Sequence, residues 1–280
     1  MTAMPVAWAT APAGTWLYGG HVHANGIRQH YLRFGGQGPA LLLVPGIVSP
    51  AALWAVVAQR LGRKFDTWVL DVRGRGLSQS GPDLDYDLDT YAADVSAFAQ
   101  AVGLESYVLL GHSMGARIGI RAARREPSRI AHLLLVDPPV SGPGRRPYPS
   151  PLSTLLELLK LAKAGHADKV FEHPSSAHWP EAQRRLRAEW LHTCDERATV
   201  ISHQALQTDD IHADLVALTV PVSLIAAGKG DVIRPEEERE LRALCPRMGF
   251  TRVAGAGHQI QMEDFEGFFA AVGAMLGERL

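Results

Sequence analysis

The sequence predicts an α/β protein: a mainly parallel sheet with helices on both faces and a helical segment inserted after the sixth strand. Three observations carry that prediction. Short apolar runs alternate with stretches of helical spacing as far as Val136, the order that builds parallel strands joined by crossover helices. Several runs, "ALLLVPG", "SYVLLGHS" and "IAHLLLVDPP", are apolar on successive residues, as strands buried on both faces must be. Prolines then crowd from Pro138 to Pro151, and from about Leu152 to Leu215 the chain reads as helices without strands. The strand pattern returns at "VPVSLIAAGKGD". The expected division is residues 1–140 and 216–280 as one sheet-based core, with 141–215 as a helical cap.

Taken in order, "HVHANGIRQHYLRF" reads as two strands joined at Asn25-Gly26, a dipeptide suited to a tight hairpin turn. "ALLLVPG" is a buried strand, and "AALWAVVAQRLG" follows with helical spacing. "FDTWVLDVRGRG" gives a strand and a glycine-rich turn. "DTYAADVSAFAQAVG" is an amphipathic helix closed by Gly103. "SYVLLGHS" is a strand, "MGARIGIRAARREP" a helix stopped before Pro127, and "IAHLLLVDPP" a strand again. In the insertion, "STLLELLKLAKAG" and "EAQRRLRAEWLHTC" have helical spacing. The chain ends with a helix through "PEEERELRALC", the stretch "GFTRVAGAGH", and a helix over "EDFEGFFAAVGAMLGERL".

Composition narrows the function classes. The 280 residues suffice for one α/β domain with an insertion. Hydrophobic residues at 46% and charged residues at 20% describe a globular, enzyme-sized protein. A net charge of −1 offers no basic field to gather nucleic acid or an acidic membrane. No apolar run approaches a membrane span. The first twenty residues lack a charged n-region and a compact apolar core, so a loosely held tail and a cytoplasmic location are expected. Cys194 and Cys245 are expected to be reduced and packed. His21 and His23 alternate along a strand, which puts both rings on one face without a metal. No Cys, Asp or Glu partners cluster near them in a ligand-like spacing.

The chemistry-bearing stretch is "LLGHSMGARI", Leu109 to Ile118. Its Gly-x-Ser-x-Gly lies between a predicted strand and a predicted helix. In that context the turn presents Ser113 at its tip, above the carboxyl end of the sheet. A serine hydroxyl is a poor nucleophile at neutral pH and needs a base. His258, in "AGAGHQI" between the last strand and the last helix, falls where chain order places that base. Two aspartates could orient its ring: Asp137 at the end of "LLLVDPPV" and Asp231 in "AAGKGDVI". A tetrahedral intermediate needs two N–H donors. The Met114 amide, at a helix N-terminus, is one; the other is expected after "LLLVPG", at Ile47. "DVRGRGLS" lacks the Lys-Ser/Thr of a phosphate loop and reads as structural, with Asp71 and Arg73 anchoring loops near the site.

In order, "LLLVPG", "DVRGRGLS", "GHSMGA", "LLLVDPP", "GKGDVI" and "AGAGH" resemble the motifs of the α/β-hydrolase superfamily over almost the whole chain. More narrowly, "ANGIRQHYLRFGG", "DVRGRGLSQSGPDLDY", "VDPPVSGPGRRPYPS" and "RAEWLHTC" resemble the N-formylmaleamate deamidases of aerobic nicotinate breakdown. That resemblance implies hydrolysis of N-formylmaleamate to maleamate and formate, with no metal or organic cofactor. It also implies that the aspartate of "VDPPVSGPGRR", Asp137, is the acid; the acidic residue at Asp231 departs from the pattern and keeps the alternative open. Such a substrate carries a carboxylate. Arg145 and Arg146, at the entry to the insertion, could grip it as a planar fork. Arg187, Trp190 and His192 share one predicted helix and are further candidates for substrate contact. Two other readings fit the same residues: a carboxylesterase or carbon–carbon hydrolase of this fold, and a non-catalytic small-molecule receptor.

Overall fold

The computed structural model describes residues 16–280; the N-terminal tail expected from composition lies outside them. Eight strands form one sheet in the order β1-β2-β4-β3-β5-β6-β7-β8. The hairpin of β1 (Trp16–Ala24) and β2 (Ile27–Phe34) turns at Asn25-Gly26, both with positive φ. It joins the sheet antiparallel to β4 (Asp66–Leu70). From β4 through β3 (Ala40–Val44), β5 (Tyr107–His112), β6 (Ile130–Val136) and β7 (Val222–Ala227) to β8 (Gly249–Val253), every pairing is parallel.

The two-residue period of a strand explains why those strands are apolar throughout. Leu42, Leu109, Leu133, Leu135 and Leu224 enter the core on one face, with α2 (Leu88–Ala101), α3 (Met114–Arg125) and α9 (Pro235–Leu244). Their neighbours Leu41, Leu43, Leu110, Leu134 and Ile225 enter the other, with α1 (Ala55–Leu61), the short α10 (Ile260–Glu263) and α11 (Phe265–Leu276). Burial on both faces makes the strand ends at the sheet's carboxyl edge rigid supports for loops. The segment expected as one helix from Ala51 begins as a 3-10 turn, Ala51–Trp54, before α1.

Between β6 and β7 the chain is helical: α4 (Leu152–Lys163), α5 (Ala167–Phe171), α6 (Glu181–Trp190), α7 (Glu196–Thr208) and α8 (His212–Val216). Leu158, Leu159, Val170, Ala188 and Leu191 give this insertion a small core of its own. Ile211 and Leu215 instead pack into the main core. Arg117 of α3 ties the insertion down. Its guanidinium donates to the carbonyls of Pro139 and Ser141 at the exit of β6, and to those of Ala205 and Asp209 at the end of α7. A cation there also meets the negative end of the helix dipole. Burial pulls its pKa down to about 10. In the "DVRGRGLS" turn, Arg73 and Asp71 anchor neighbouring segments. Arg73 grips Asp94 of α2 through two bonds at 2.8 and 2.7 Å, and Asp71 accepts from the Ala51 and Leu77 amides and contacts His30 Nδ1 at 2.7 Å.

Candidate active site

The elbow follows from local sterics. Ser113 sits between β5 and α3 at φ 56°, ψ −121°, a conformation that costs a non-glycine residue free energy. The flanking glycines permit it. A Cβ on Gly111 would meet the Gly115 carbonyl oxygen at 2.3 Å, and one on Gly115 would meet the Val44 carbonyl oxygen at 2.0 Å. Only hydrogen atoms fit where β5, β3 and α3 converge.

His258 and Asp137 reach the same point from the ends of β8 and β6, the strands on either side of β7. Asp137 leaves β6 with φ 44° and no solvent exposure. Its Oδ1 accepts from the Ala227 amide at 3.0 Å, and its Oδ2 lies 2.7 Å from His258 Nδ1. The remaining imidazole nitrogen, Nε2, lies 2.9 Å from Ser113 Oγ. With Nδ1–H donating to the carboxylate, Nε2 carries a lone pair and accepts from the serine hydroxyl. The loop bearing His258 is held by Glu263, which accepts from the Gly257 and Gln259 amides, and by the His258 carbonyl, which accepts from His112 Nε2 at 3.0 Å. Burial, reinforced by His258, pushes the His112 pKa down to about 3.

Asp231 is placed elsewhere. It is exposed at the cleft rim, bound by Arg234 through bonds of 2.6 and 2.9 Å and approached by Arg146 at 3.5 Å. The hydrogen bond from Arg234 holds its carboxyl below the usual range. Ile47, which lines the cleft beside Ser113, and Met114, the residue after Ser113, are both buried. Among the described residues neither amide has an acceptor.

Ser113 and His258 open into a cleft of about 540 Å³ between the sheet edge and the insertion. Of the expected substrate contacts, Arg187 of α6 lines it. It is 5% exposed, with no carboxylate in reach among the described residues. It donates to Ser175 Oγ at 3.2 Å and lies 4.8 Å over the Trp179 ring. Burial drags its pKa down to about 10. The expectation for Arg145 and Arg146 is corrected. Arg145 is spent on Glu240, with two bonds of 2.7 Å, and Arg146 on Glu237 at 3.1 and 2.9 Å. Each guanidinium charge is already matched by a carboxylate, which leaves a substrate anion little to gain there. Neither lines the cleft; nor do Trp190, which faces a separate apolar groove beside Trp16 and Leu77, and the exposed His192. Trp190 is the last residue of α6, and the chain then passes into a 3-10 turn, Leu191–Thr193, so His192 does not share the helix of Arg187. His21 and His23 are exposed on one face of β1.

Tyr148 is a residue that motif reasoning passed over. Its hydroxyl lies 3.4 Å from His258 Nε2, and burial pushes its pKa up to about 12, so it stays a donor. The signal was a lone tyrosine between prolines in "RRPYPS", held rigidly at the mouth of the insertion.

A strained serine on a strand–helix turn, with a histidine and a buried aspartate delivered by later strands, defines a hydrolase-type site on this fold. The chain belongs to the α/β-hydrolase family: the family model described as "alpha/beta hydrolase fold" matches residues 39–173. Among its relatives, N-formylmaleamate deformylase of Pseudomonas putida (strain KT2440) is 54% identical over 266 residues, 95% of this chain and 99% of that protein. A crystal structure of a variant N-formylmaleamic acid deformylase from Pseudomonas putida S16 superposes with a TM-score of 0.87 at 50% identity, covering 91% of this chain and all of that one. An E-2-(acetamidomethylene)succinate hydrolase shares the fold, with a TM-score of 0.78 at 21% identity over 94% of this chain and all of that one.

Proposed function

We propose that this protein is an amide hydrolase that cleaves N-formylmaleamate to maleamate and formate in nicotinate degradation. The observation that carries the substrate class is Arg187: a buried cation without a carboxylate partner among the described residues, lining the same cleft as Ser113. Burying a charge is costly unless a partner arrives, and the substrate's carboxylate is that partner. The likeness to the Pseudomonas deformylase over nearly the full chain supports the same substrate.

In this reading His258 Nε2 takes the Ser113 proton as Oγ attacks the formyl carbon. Asp137 holds the ring and stabilises its cationic form. The Ile47 and Met114 amides receive the oxyanion. The C–N bond breaks and the departing nitrogen takes the proton from His258. That nitrogen is a competent leaving group because it also bears the maleyl carbonyl. Tyr148, beside Nε2, is placed to donate to it. Water, activated by His258, then attacks the formyl-enzyme and releases formate. The insertion, residues 141–215 by the sequence division, acts as the cap that shapes the cleft. Every step uses the chain's own groups and needs no cofactor. The substrate is a small molecule rather than a nucleic acid or membrane. We place the protein in the cytoplasm, where the unbridged Cys194 and Cys245 suit reducing conditions.

The test is product identity. The substrate nitrogen joins two acyl carbons, so attack at the formyl side gives formate and maleamate, and attack at the maleyl side gives formamide and maleate. The parent is expected to release formate and maleamate in equal amounts, and a folded Ser113→Ala variant to release neither. Formamide and maleate, or full activity in Ser113→Ala, would contradict the reading.

A further inference from the structure

Arg75 is fully buried at 0% exposure, and among the described residues no carboxylate touches it. Its Nε donates to the Ile47 carbonyl at 2.9 Å. Its Nη1 donates to the Arg73 carbonyl and the Tyr91 hydroxyl. Its Nη2 donates to Ser202 Oγ at 2.8 Å and the Ala198 carbonyl at 3.2 Å, both on α7, and lies 3.9 Å from Met114 Sδ. The turn that carries it cannot drift, because a Cβ on Gly76 would sit 2.1 Å from the Asp71 carboxylate.

A buried, uncompensated cation is a poor device for stability; apolar side chains of similar volume usually do as well. This one touches both residues expected to supply the oxyanion donors, Ile47 and Met114, and the insertion as well. We propose that Arg75 is a positioning residue for the oxyanion hole. Its bond to the Ile47 carbonyl fixes the turn that aims the Ile47 N–H. Its charge, left unneutralised beside Ile47 and Met114, favours an anion between them. Its Nη2 bonds couple that geometry to α7. The inference rests on Ser113 as nucleophile, and its test separates the two.

The probe is an alkyl fluorophosphonate, whose phosphoryl oxygen must occupy the hole. Oγ forms a bond to phosphorus, the P–F bond breaks, fluoride leaves and the serine proton passes to His258. Labelling of Ser113 is followed by intact mass, alongside kcat and KM for N-formylmaleamate. For Arg75→Met, labelling and kcat are expected to fall together by about ten- to a hundredfold, somewhat less than deletion of a direct donor, while KM moves less than about threefold. Arg75→Lys should recover part of both, since it keeps the charge and loses the fork. If Arg75→Met does not fold, Tyr91→Phe with Ser202→Ala loosens the guanidinium in place; a loss of about three- to tenfold in both rates is then expected, from two weakened neutral hydrogen bonds. Absence of labelling in the parent would overturn the serine reading itself. Labelling of the parent with parental rates in the Arg75 variants, or in the double variant, would overturn the role of Arg75, as would a loss confined to KM.

Discussion

At the scale of single residues, the site is defined by which charges are already paired. Arg145 and Arg146 are closed on Glu240 and Glu237, whereas Arg187 is buried over the Trp179 ring with a hydrogen bond to Ser175 and, among the described residues, no carboxylate. Arg187→Met should therefore penalise N-formylmaleamate relative to a neutral formamide. A hydrogen bond to a charged group contributes about 1.5–3 kcal/mol, or roughly ten- to a hundredfold in the ratio of kcat/KM values. Arg187→Lys should restore part of that ratio. Arg145→Ala should leave it within about twofold of the parent, because it unties only a partly exposed pair. An unchanged ratio in Arg187→Met would remove the carboxylate site from the account. The sequence could present these arginines as candidates but could not rank them. Pairing depends on Glu237 and Glu240, some ninety positions away and contributed by a helix across the fold.

At the scale of elements, the strand–turn–helix at Ser113 was legible because each part has a local cause. "YVLLGH" is buried at every strand position, with an apolar run leading into the turn, and Gly111 and Gly115 stand where side chains cannot. Gly115→Ala should cost at least about 2 kcal/mol in urea unfolding, since its Cβ would press on backbone rather than on a side chain that can move. Gly119→Ala, one turn along α3, should stay within about 1 kcal/mol of the parent. There the nearest atom is the mobile Leu133 Cδ1 at 3.0 Å, and alanine is the better helix former. Equal losses at the two positions would contradict the close-approach argument. The insertion was legible as helices but not in its facing. Contacts with Ser175 and Trp179 fix the side of α6 that meets the cleft, whereas Trp190, at its end, faces the groove beside Trp16 and His192 lies beyond the helix in a 3-10 turn. The role of Arg75 was hidden for the same reason, since its partners span Ile47 to Ser202.

At the scale of the whole molecule, the fold buries neutral histidine beside its reacting groups, and this gives stability an acid limit. His112 has a folded pKa near 3 against an ordinary value of 6.5. Its neutral form is therefore fully stabilising above about pH 6.5. As pH falls from there towards 3, the unfolded chain gains a proton that the folded chain does not, and stability is lost. Burial shifts His132 and His212 in the same sense. Between pH 7.5 and 5.0 the His112 contribution should fall by roughly 2 kcal/mol. In urea unfolding a His112→Asn variant should lose less stability than the parent over that interval; parallel losses would contradict the assignment. The mainly parallel sheet, its helical insertion and the approach of Ser113 to His258 follow from chain order and the apolar pattern, whereas the order of the strands in the sheet comes from the structure. The identity of the acid does not follow from chain order either, because Asp137 and Asp231 both end strands, and only the three-dimensional path of the His258 loop separates them. The most direct measurement of the proposed triad is therefore kcat/KM for formate release by Asp137→Asn beside Asp231→Asn. The account predicts a loss on the order of ten-thousand-fold for Asp137→Asn, as when an orienting acid is neutralised in a serine protease, and less than about threefold for Asp231→Asn. The reverse ranking, or equal losses, would contradict it.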